Sequence, residues 1–151
     1  MAPVRAAAPN DAARLREIAQ AAYAKYVPRI GREPMPMSAD YGAEIAAGRV
    51  TVIEIGGAVA GYIVAWAEPD AYYIHNVAVD PVRQGLGLGR TLIDAAVQAA
   101  RRHGLGAIRL YTNAAMHENL ALYARIGFAE TRRAREDGFE RVFMRWDLPA
   151  E

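Results

Sequence analysis

The sequence predicts an α+β fold in which one mixed, mostly antiparallel sheet is flanked by helices. Residues 50–55, 59–66 and 71–79 are three apolar, β-type runs separated by short turns, which is typical of an antiparallel meander. A glycine-rich loop, a helix over residues 88–103 and a strand over residues 107–112 follow the third run. Because such a crossover normally joins parallel strands, the sheet is expected to be mixed.

The remaining segments complete about seven strands and about four helices. They are predicted strands over residues 4–7, 128–135 and 139–147, and predicted helices over residues 11–25, 39–47 and 118–126. Ser38 is a good cap for the second helix, and Gly127 is a good stop for the last one. Asp137-Gly138 lies between two β-type runs, which predicts a closing hairpin.

Length and composition favour a small globular protein. A chain of 151 residues predicts one domain, residues 1–151, and a hydrophobic content of 53% allows a sizeable core. A formal net charge of +1 does not indicate a nucleic-acid partner, and the lack of cysteine excludes disulfides and thiol catalysis. With neither a long apolar run nor a signal-peptide pattern, we expect no membrane association and a cytoplasmic location.

The segment from Gln84 to Arg90 carries three alternate glycines between a strand and an amphipathic helix. Glycine lets the backbone approach an anion closely, and the first N–H groups of a helix have no partner within the helix. The positive end of the helix dipole lies at the same place. This arrangement predicts a site for a diphosphate.

Three phosphate-binding patterns compete for this loop. A P-loop needs Gly-Lys-Ser/Thr, but the one lysine of the chain is Lys25, far upstream. A dinucleotide fingerprint needs G-x-G-x-x-G and an acid about 20 residues on, and neither is present. The third pattern is Q-x-x-G-x-G, formed by Gln84, Gly87 and Gly89. The simpler alternative is a glycine-rich turn without a ligand.

The last predicted helix carries Asn119 and Tyr123 four residues apart, so both lie on nearly the same face. An amide and a phenol beside the apolar pair Leu122 and Ile126 suggest a polar site at the edge of the core. The alternative is a buried tyrosine with a satisfied hydroxyl and an exposed asparagine.

Two ordered motifs give the sequence a family resemblance. The Q-x-x-G-x-G loop and the later N-x-x-x-Y-x-x-x-G-F segment, residues 119–128, resemble the GCN5-related N-acetyltransferase (GNAT) family. The meander, the crossover and the closing hairpin match as well, so the resemblance extends over residues 4–148. It implies a sheet that is splayed at its fourth and fifth strands, with an acyl chain entering the gap.

The resemblance also implies a co-substrate, acetyl-CoA, and no metal. The pyrophosphate would be held by the backbone of residues 84–90, and the pantetheine arm by the edge of the strand before the loop. Asn119 would hold the pantetheine or a structural water. The implied cofactor residues are Val77, Ala78, Val79, Gln84, Gly85, Leu86, Gly87, Leu88, Gly89, Arg90 and Asn119.

An amine that attacks a thioester needs a base, and the departing thiolate needs an acid. The resemblance makes Tyr123 the acid. His75 is the leading candidate for the base, because strict alternation places it on the face of Val79 and histidine titrates near neutral pH. Glu33 or water remain alternatives for the base.

The loop over residues 26–37 lies outside the shared pattern of the family. Its rings and charges suggest a lid that contacts the acceptor, with Tyr26, Arg29, Arg32 and Glu33 as candidate substrate-binding residues. The alternative is a linker that covers the core with apolar side chains. The acceptor is expected to be the amine of a small molecule or peptide. A homodimer is plausible, and a non-catalytic CoA sensor or interaction module is the alternative function.

Overall fold

The computed structural model describes residues 2–151 and contains one seven-stranded sheet with helices on both faces. The strands are β1 (Val4–Ala6), β2 (Val50–Ile55), β3 (Ala58–Ala67), β4 (Tyr72–Val79), β5 (Ala107–Asn113), β6 (Ala129–Glu136) and β7 (Phe139–Asp147). The helices are α1 (Ala12–Tyr23), α2 (Val27–Ile30), α3 (Tyr41–Ala46), α4 (Leu88–Arg102) and α5 (His117–Ile126). Spatial order is β1-β2-β3-β4-β5-β7-β6, which confirms the predicted mixed sheet.

The junction between β4 and β5 is the one parallel pairing among the described strands, and it is short. The two strands pair over Tyr72, Tyr73 and Ile74 only, opposite Ile108 to Leu110. Beyond this point they diverge, while β4 stays paired with β3 as far as Val79. The predicted splay is therefore confirmed, and it leaves the second half of β4 without a strand partner on its β5 side.

Each face of the sheet carries its own apolar cluster. On one face α4 packs onto the sheet through Leu88, Leu92, Ile93, Ala96, Val97 and Ala100, all buried and all at the predicted helical spacing. On the other face α1 and α3 contribute Leu15, Ile18 and Tyr41 to a second cluster. The site described below lies where the open end of the sheet meets the ends of α1 and α5.

The structure corrects two sequence-based predictions, the cap of α3 and the absence of a helix in the proline-rich segment. Helix α3 is capped by Asp40, whose carboxylate accepts the Ala43 N–H at 3.0 Å, and not by Ser38. The proline-rich segment also contains a short helix, α2, which its sequence did not predict. Pro28 lies in the first turn of α2, where its missing N–H costs nothing, and Gly31 ends the helix at φ 87°.

The longest helix of the described chain is α4, with 15 residues. No helix in residues 2–151 is long and apolar enough to cross a membrane.

Candidate active site

The loop between β4 and α4 has an open backbone surface. Asp80 begins it, accepting a hydrogen bond from the Val82 N–H at 3.2 Å and pairing with Arg14 at 2.6 Å. Gly85 and Gly87 have φ of 86° and 76°, in the left-handed region that favours glycine. A Cβ added at Gly85, Gly87 or Gly89 would meet no atom within 4 Å, so the space above these three residues is open.

A cavity of about 450 Å³ lies over this loop, and we call it the glycine-loop cavity. Its walls come from the loop, the start of α4, the end of β4, α1 and α5. Ten of the eleven predicted cofactor residues line it: Val77, Ala78, Val79, Gln84, Gly85, Gly87, Leu88, Gly89, Arg90 and Asn119. Leu86 does not, because its side chain projects from the loop and is 60% exposed.

The electrostatics of the glycine-loop cavity suit a polyanion. Four of its lining residues are basic, Lys25, Arg83, Arg90 and Arg125, and Glu118 is the one acidic residue among them. Lys25 pairs with Glu118 at 3.5 Å. The excess of positive charge adds to the positive end of the α4 dipole, so both favour bound phosphate groups.

A second cavity of about 80 Å³ lies between the diverging ends of β4 and β5, and we call it the inner cavity. Its lining residues are Tyr23, Pro34, Met35, Pro36, Ile74, His75, Asn76, Val77, Leu110, Tyr111, Thr112, Asn113, Met116, Asn119, Tyr123, Phe139 and Arg141. Tyr23, Val77, Asn119 and Tyr123 line both cavities. The two cavities therefore adjoin at these four residues, Tyr123 among them.

Tyr123 lies on the buried face of α5 and is 6% exposed. Its ring contacts Phe128 edge-to-face at 5.6 Å between centroids. Its hydroxyl makes no hydrogen bond to another side chain or to the backbone of residues 2–151. Burial raises the pKa of this phenol, so Tyr123 keeps its proton at neutral pH. Beside it, the Asn119 amide lies 3.6 Å from the Met116 sulfur.

A bulge in β4 changes the predicted orientation of His75. Val64 pairs with Asn76 and Ala65 pairs with Ile74, so His75 is an extra residue in β4. The expectation from strict alternation is wrong for this reason. Val79 packs on the α4 side of the sheet, whereas the ring of His75 lies 5.3 Å from Trp66 on the other side.

His75 nevertheless lines the inner cavity, although it does not line the glycine-loop cavity. Burial lowers the pKa of its imidazole, and Glu44 opposes this effect by a smaller amount. His75 is therefore neutral at pH 7 and able to accept a proton. Glu33, the alternative base, is exposed and lines neither cavity.

Sequence reasoning missed a buried polar cluster next to the bulge. The Asn76 amide donates to the hydroxyls of Tyr41 and Tyr62 at 2.8 and 3.0 Å, and its oxygen accepts from Tyr23 at 3.0 Å. The hydroxyl of Tyr41 donates to the Pro36 carbonyl at 2.5 Å. We call these four side chains the Asn76 cluster. An asparagine inside an apolar strand was the available signal, since buried polar groups need partners.

The four predicted acceptor-binding residues do not line the inner cavity. Arg29 pairs with both carboxylate oxygens of Glu118, at 2.6 and 3.0 Å. Arg32 donates to the Asp137 carbonyl at 2.9 Å, and Glu33 is exposed. Tyr26 is buried and lines the glycine-loop cavity instead.

The loop over residues 26–37 does form a wall of the inner cavity, but through residues other than the four predicted ones. Pro34, Met35 and Pro36 supply that wall. Of the charged residues before them, Arg29 binds Glu118 on α5 and Arg32 binds the hairpin between β6 and β7. Among residues 2–151 no cluster of three or more His, Asp or Glu side chains is arranged to hold a metal ion.

The chain resembles known proteins at the level of sequence. Residues 13–128 match the acetyltransferase (GNAT) family. A mycothiol acetyltransferase of Nocardia farcinica is 39% identical over 62 residues, which are 41% of this chain and 20% of that protein. One of Rhodococcus erythropolis is 38% identical over 61 residues, which are 40% of this chain and 20% of that protein. The match thus spans about a fifth of these relatives.

Solved structures share the fold over nearly the whole chain. The PaiA N-acetyltransferase of Thermoplasma acidophilum, in complex with coenzyme A, has a TM-score of 0.83 at 17% identity and covers 98% of this chain and 99% of that chain. The ribosomal-protein-S18-alanine N-acetyltransferase of Escherichia coli has a TM-score of 0.78 at 20% identity, covering 100% and 96%. With the fold, the two motifs and the sequence match in agreement, this chain belongs to the acetyltransferase (GNAT) family.

Proposed function

We propose that this protein is an acetyl-CoA-dependent N-acetyltransferase, which moves an acetyl group from the coenzyme sulfur to the nitrogen of an amine. The observation that supports this proposal most is the meeting of two cavities at Tyr123. One cavity has the backbone and charge that suit phosphates, and the other is a small chamber for an amine. Membership of the GNAT family supports the same reaction.

The coenzyme would lie along the glycine-loop cavity. The free N–H groups of the loop and of the first turn of α4 would donate to the pyrophosphate. Backbone groups of Val77 to Val79 would bind the pantetheine arm, because β5 does not pair with this part of β4. Asn119 would contact the arm near its sulfur end, since it lines both cavities.

The proton transfers would be divided between two side chains. As the amine nitrogen forms its bond to the acetyl carbon, the bond from that carbon to sulfur breaks. Tyr123 would give its proton to the departing sulfur, since its phenol is protonated at neutral pH and lines both cavities. The proton lost by the amine would pass to neutral His75, directly or through water.

The first test is binding of the coenzyme. Titration calorimetry with coenzyme A should give a saturable heat, and acetyl-CoA at 100 times its dissociation constant should stabilise the fold by about 2.7 kcal/mol. Thiol release from acetyl-CoA should then depend on an added amine. Binding without amine-dependent thiol release would instead support a non-catalytic CoA sensor. The homodimer and the cytoplasmic location stay predictions.

A further inference from the structure

The walls of the inner cavity are mainly apolar and aromatic, and they carry no carboxylate. Pro34, Met35, Pro36, Tyr111 and Phe139 are among its apolar and aromatic lining residues. None of its 17 lining residues is Asp or Glu. An acceptor in this cavity is therefore in contact with an apolar surface, and it finds no negative side chain there.

The charged group that does line the cavity is positive. Arg141 stacks over the ring of Tyr111 at 4.6 Å, and its side chain is only 14% exposed. Glu136 and Asp137 are on the adjacent hairpin, but both pair with Arg141 itself, at 2.9 and 3.9 Å. A polyamine or an aminoglycoside would bring additional ammonium groups, and no free carboxylate of the wall is available to balance them.

The fraction of each amine that is neutral at working pH also favours some acceptors over others. At pH 7.5 roughly a third of peptide α-amino groups are neutral, since their pKa is about 7.7–8.0. Only roughly one in a thousand lysine-type amines is neutral at that pH, since their pKa is about 10.4. With no carboxylate in the wall and with a neutral His75 as its weak base, the cavity suits an amine that is already partly deprotonated.

We infer that the acceptor is the α-amino group of a peptide whose first side chain is apolar, and not a polyamine, an aminoglycoside or a lysine side chain. The amine would enter the inner cavity with its apolar side chain against Pro34, Met35 and Phe139. This inference rests on the proposed function and adds the substrate class to it.

The test compares three amines as acceptors at pH 7.5. The first peptide is short and neutral, with a free N-terminal methionine. The second has the same sequence with a blocked N-terminus and one internal lysine. Spermidine is the third amine. We expect kcat/KM for the free N-terminus to exceed the other two values by at least about tenfold, in line with the difference in neutral amine. The product must carry its acetyl group on the α-nitrogen, as shown by mass spectrometry.

A single substitution tests the role of the uncharged wall. Asn113 lines the inner cavity, and its side-chain oxygen accepts the Ala115 N–H at 2.8 Å. Asn113→Asp keeps this acceptor and adds a negative charge opposite Arg141, its cross-strand partner in β7, so the wall loses the positive charge that repels an ammonium group. The ratio of kcat/KM for spermidine to kcat/KM for the peptide should rise by about tenfold, the effect of an opposite charge nearby. Asn10→Asp, at an exposed position remote from the cavity, is the control and should leave the ratio unchanged.

The possible results distinguish an error in the acceptor class from an error in the proposed acetyltransferase activity. Preferred acetylation of spermidine or of lysine would overturn the inference and leave the acetyltransferase intact. An unchanged ratio in folded Asn113→Asp would also overturn it. If acetyl-CoA binds and no amine is acetylated, the proposed function fails and the inference fails with it.

Discussion

Tyr123 is a buried phenol whose hydroxyl keeps its proton at neutral pH. Its ring is held by Phe128 inside the core, while no protein acceptor takes its hydroxyl proton. Burial raises the pKa of the phenol, so the proton is present across the neutral range. Tyr123 is also one of the four residues that line both cavities, and the proposed function would place the leaving sulfur there.

The Tyr123→Phe variant removes that proton and keeps the ring. We expect kcat to fall by about a hundredfold or more, because general acid catalysis typically contributes ~10²–10⁴ in rate. The dissociation constant for acetyl-CoA, measured by calorimetry, should stay near normal. Tyr72→Phe is the matched control, since Tyr72 lines neither of these cavities. Normal turnover in Tyr123→Phe would remove this residue from the proton transfer.

His75→Gln tests the base. Because burial lowers the pKa of His75 below 6.5, activity should fall on the acid side as pH drops through that lowered value. In the variant, kcat/KM should be lower at neutral pH, and its pH profile should no longer show this fall on the acid side. His103→Gln, at an exposed position outside both cavities, should keep it. A pH profile that His75→Gln does not alter would identify water as the base.

The lowered pKa of His75 also affects stability. The unfolded chain binds a proton at about pH 6.5, before the folded chain does. Folding therefore becomes less favourable as pH falls from 6.5 towards the lowered pKa, and the loss ends below it. Denaturant titrations of wild type and His75→Gln at several pH values should show a smaller loss in the variant.

At the scale of elements, the site depends on a strand, a loop and a helix that follow one another directly in the chain. Strand β4 ends at Val79, the glycine loop turns the chain, and α4 begins at Leu88. Gly89 is inside the first turn of α4, and its φ lies outside the positive range that would require glycine. A side chain there would meet open space in the protein. The fold itself therefore does not require glycine at position 89.

Gly89→Ala separates these two roles. Alanine is more favourable than glycine inside a helix by about 1 kcal/mol, so the melting temperature should stay or rise. The added methyl group would occupy the space where a pyrophosphate approaches, so the affinity for coenzyme A should fall by at least about tenfold, a loss of ~1.4 kcal/mol. Gly42→Ala in α3 is the control, because it should share the stability gain without the affinity loss. Unchanged affinity in Gly89→Ala would contradict the proposed cradle.

At the scale of the whole molecule, the Asn76 cluster connects elements that are far apart in the sequence. Asn76 in β4 binds Tyr23 of α1, Tyr41 of α3 and Tyr62 of β3. Through Tyr41 the cluster also reaches the Pro36 carbonyl in the wall of the inner cavity. One buried amide thus fixes the bulge of β4 relative to both helices on that face.

Asn76→Ala should destabilise the whole fold. It takes one hydrogen-bond partner from each of three buried hydroxyls, which keep their bonds to Val77, to Pro36 and to each other, and each lost bond is worth about 0.5–1.5 kcal/mol. The free energy of unfolding from urea titration should fall by at least that amount. Asn10→Ala, which is exposed, should change it by less than about 0.5 kcal/mol. A loss for Asn76→Ala as small as that of the control would show that the cluster contributes little.

Sequence alone determined the features that depend on local chemistry. The order of strands and helices, the open glycine loop and the placing of Asn119 and Tyr123 on one face all follow from periodicity and from residues close together in the chain. Ten of the eleven cofactor candidates line one cavity because they come from two such local segments.

Only the tertiary structure decided the features that depend on distant partners. The bulge at His75 arises from the way β4 pairs with β3. The Asn76 cluster needs side chains up to 53 residues away. Arg29 is engaged by Glu118, 89 residues later, so a charge that seemed available to a substrate is used within the fold. Periodicity reports which face a residue occupies in a regular strand or helix, but a register shift and a long-range ion pair leave no local pattern to read.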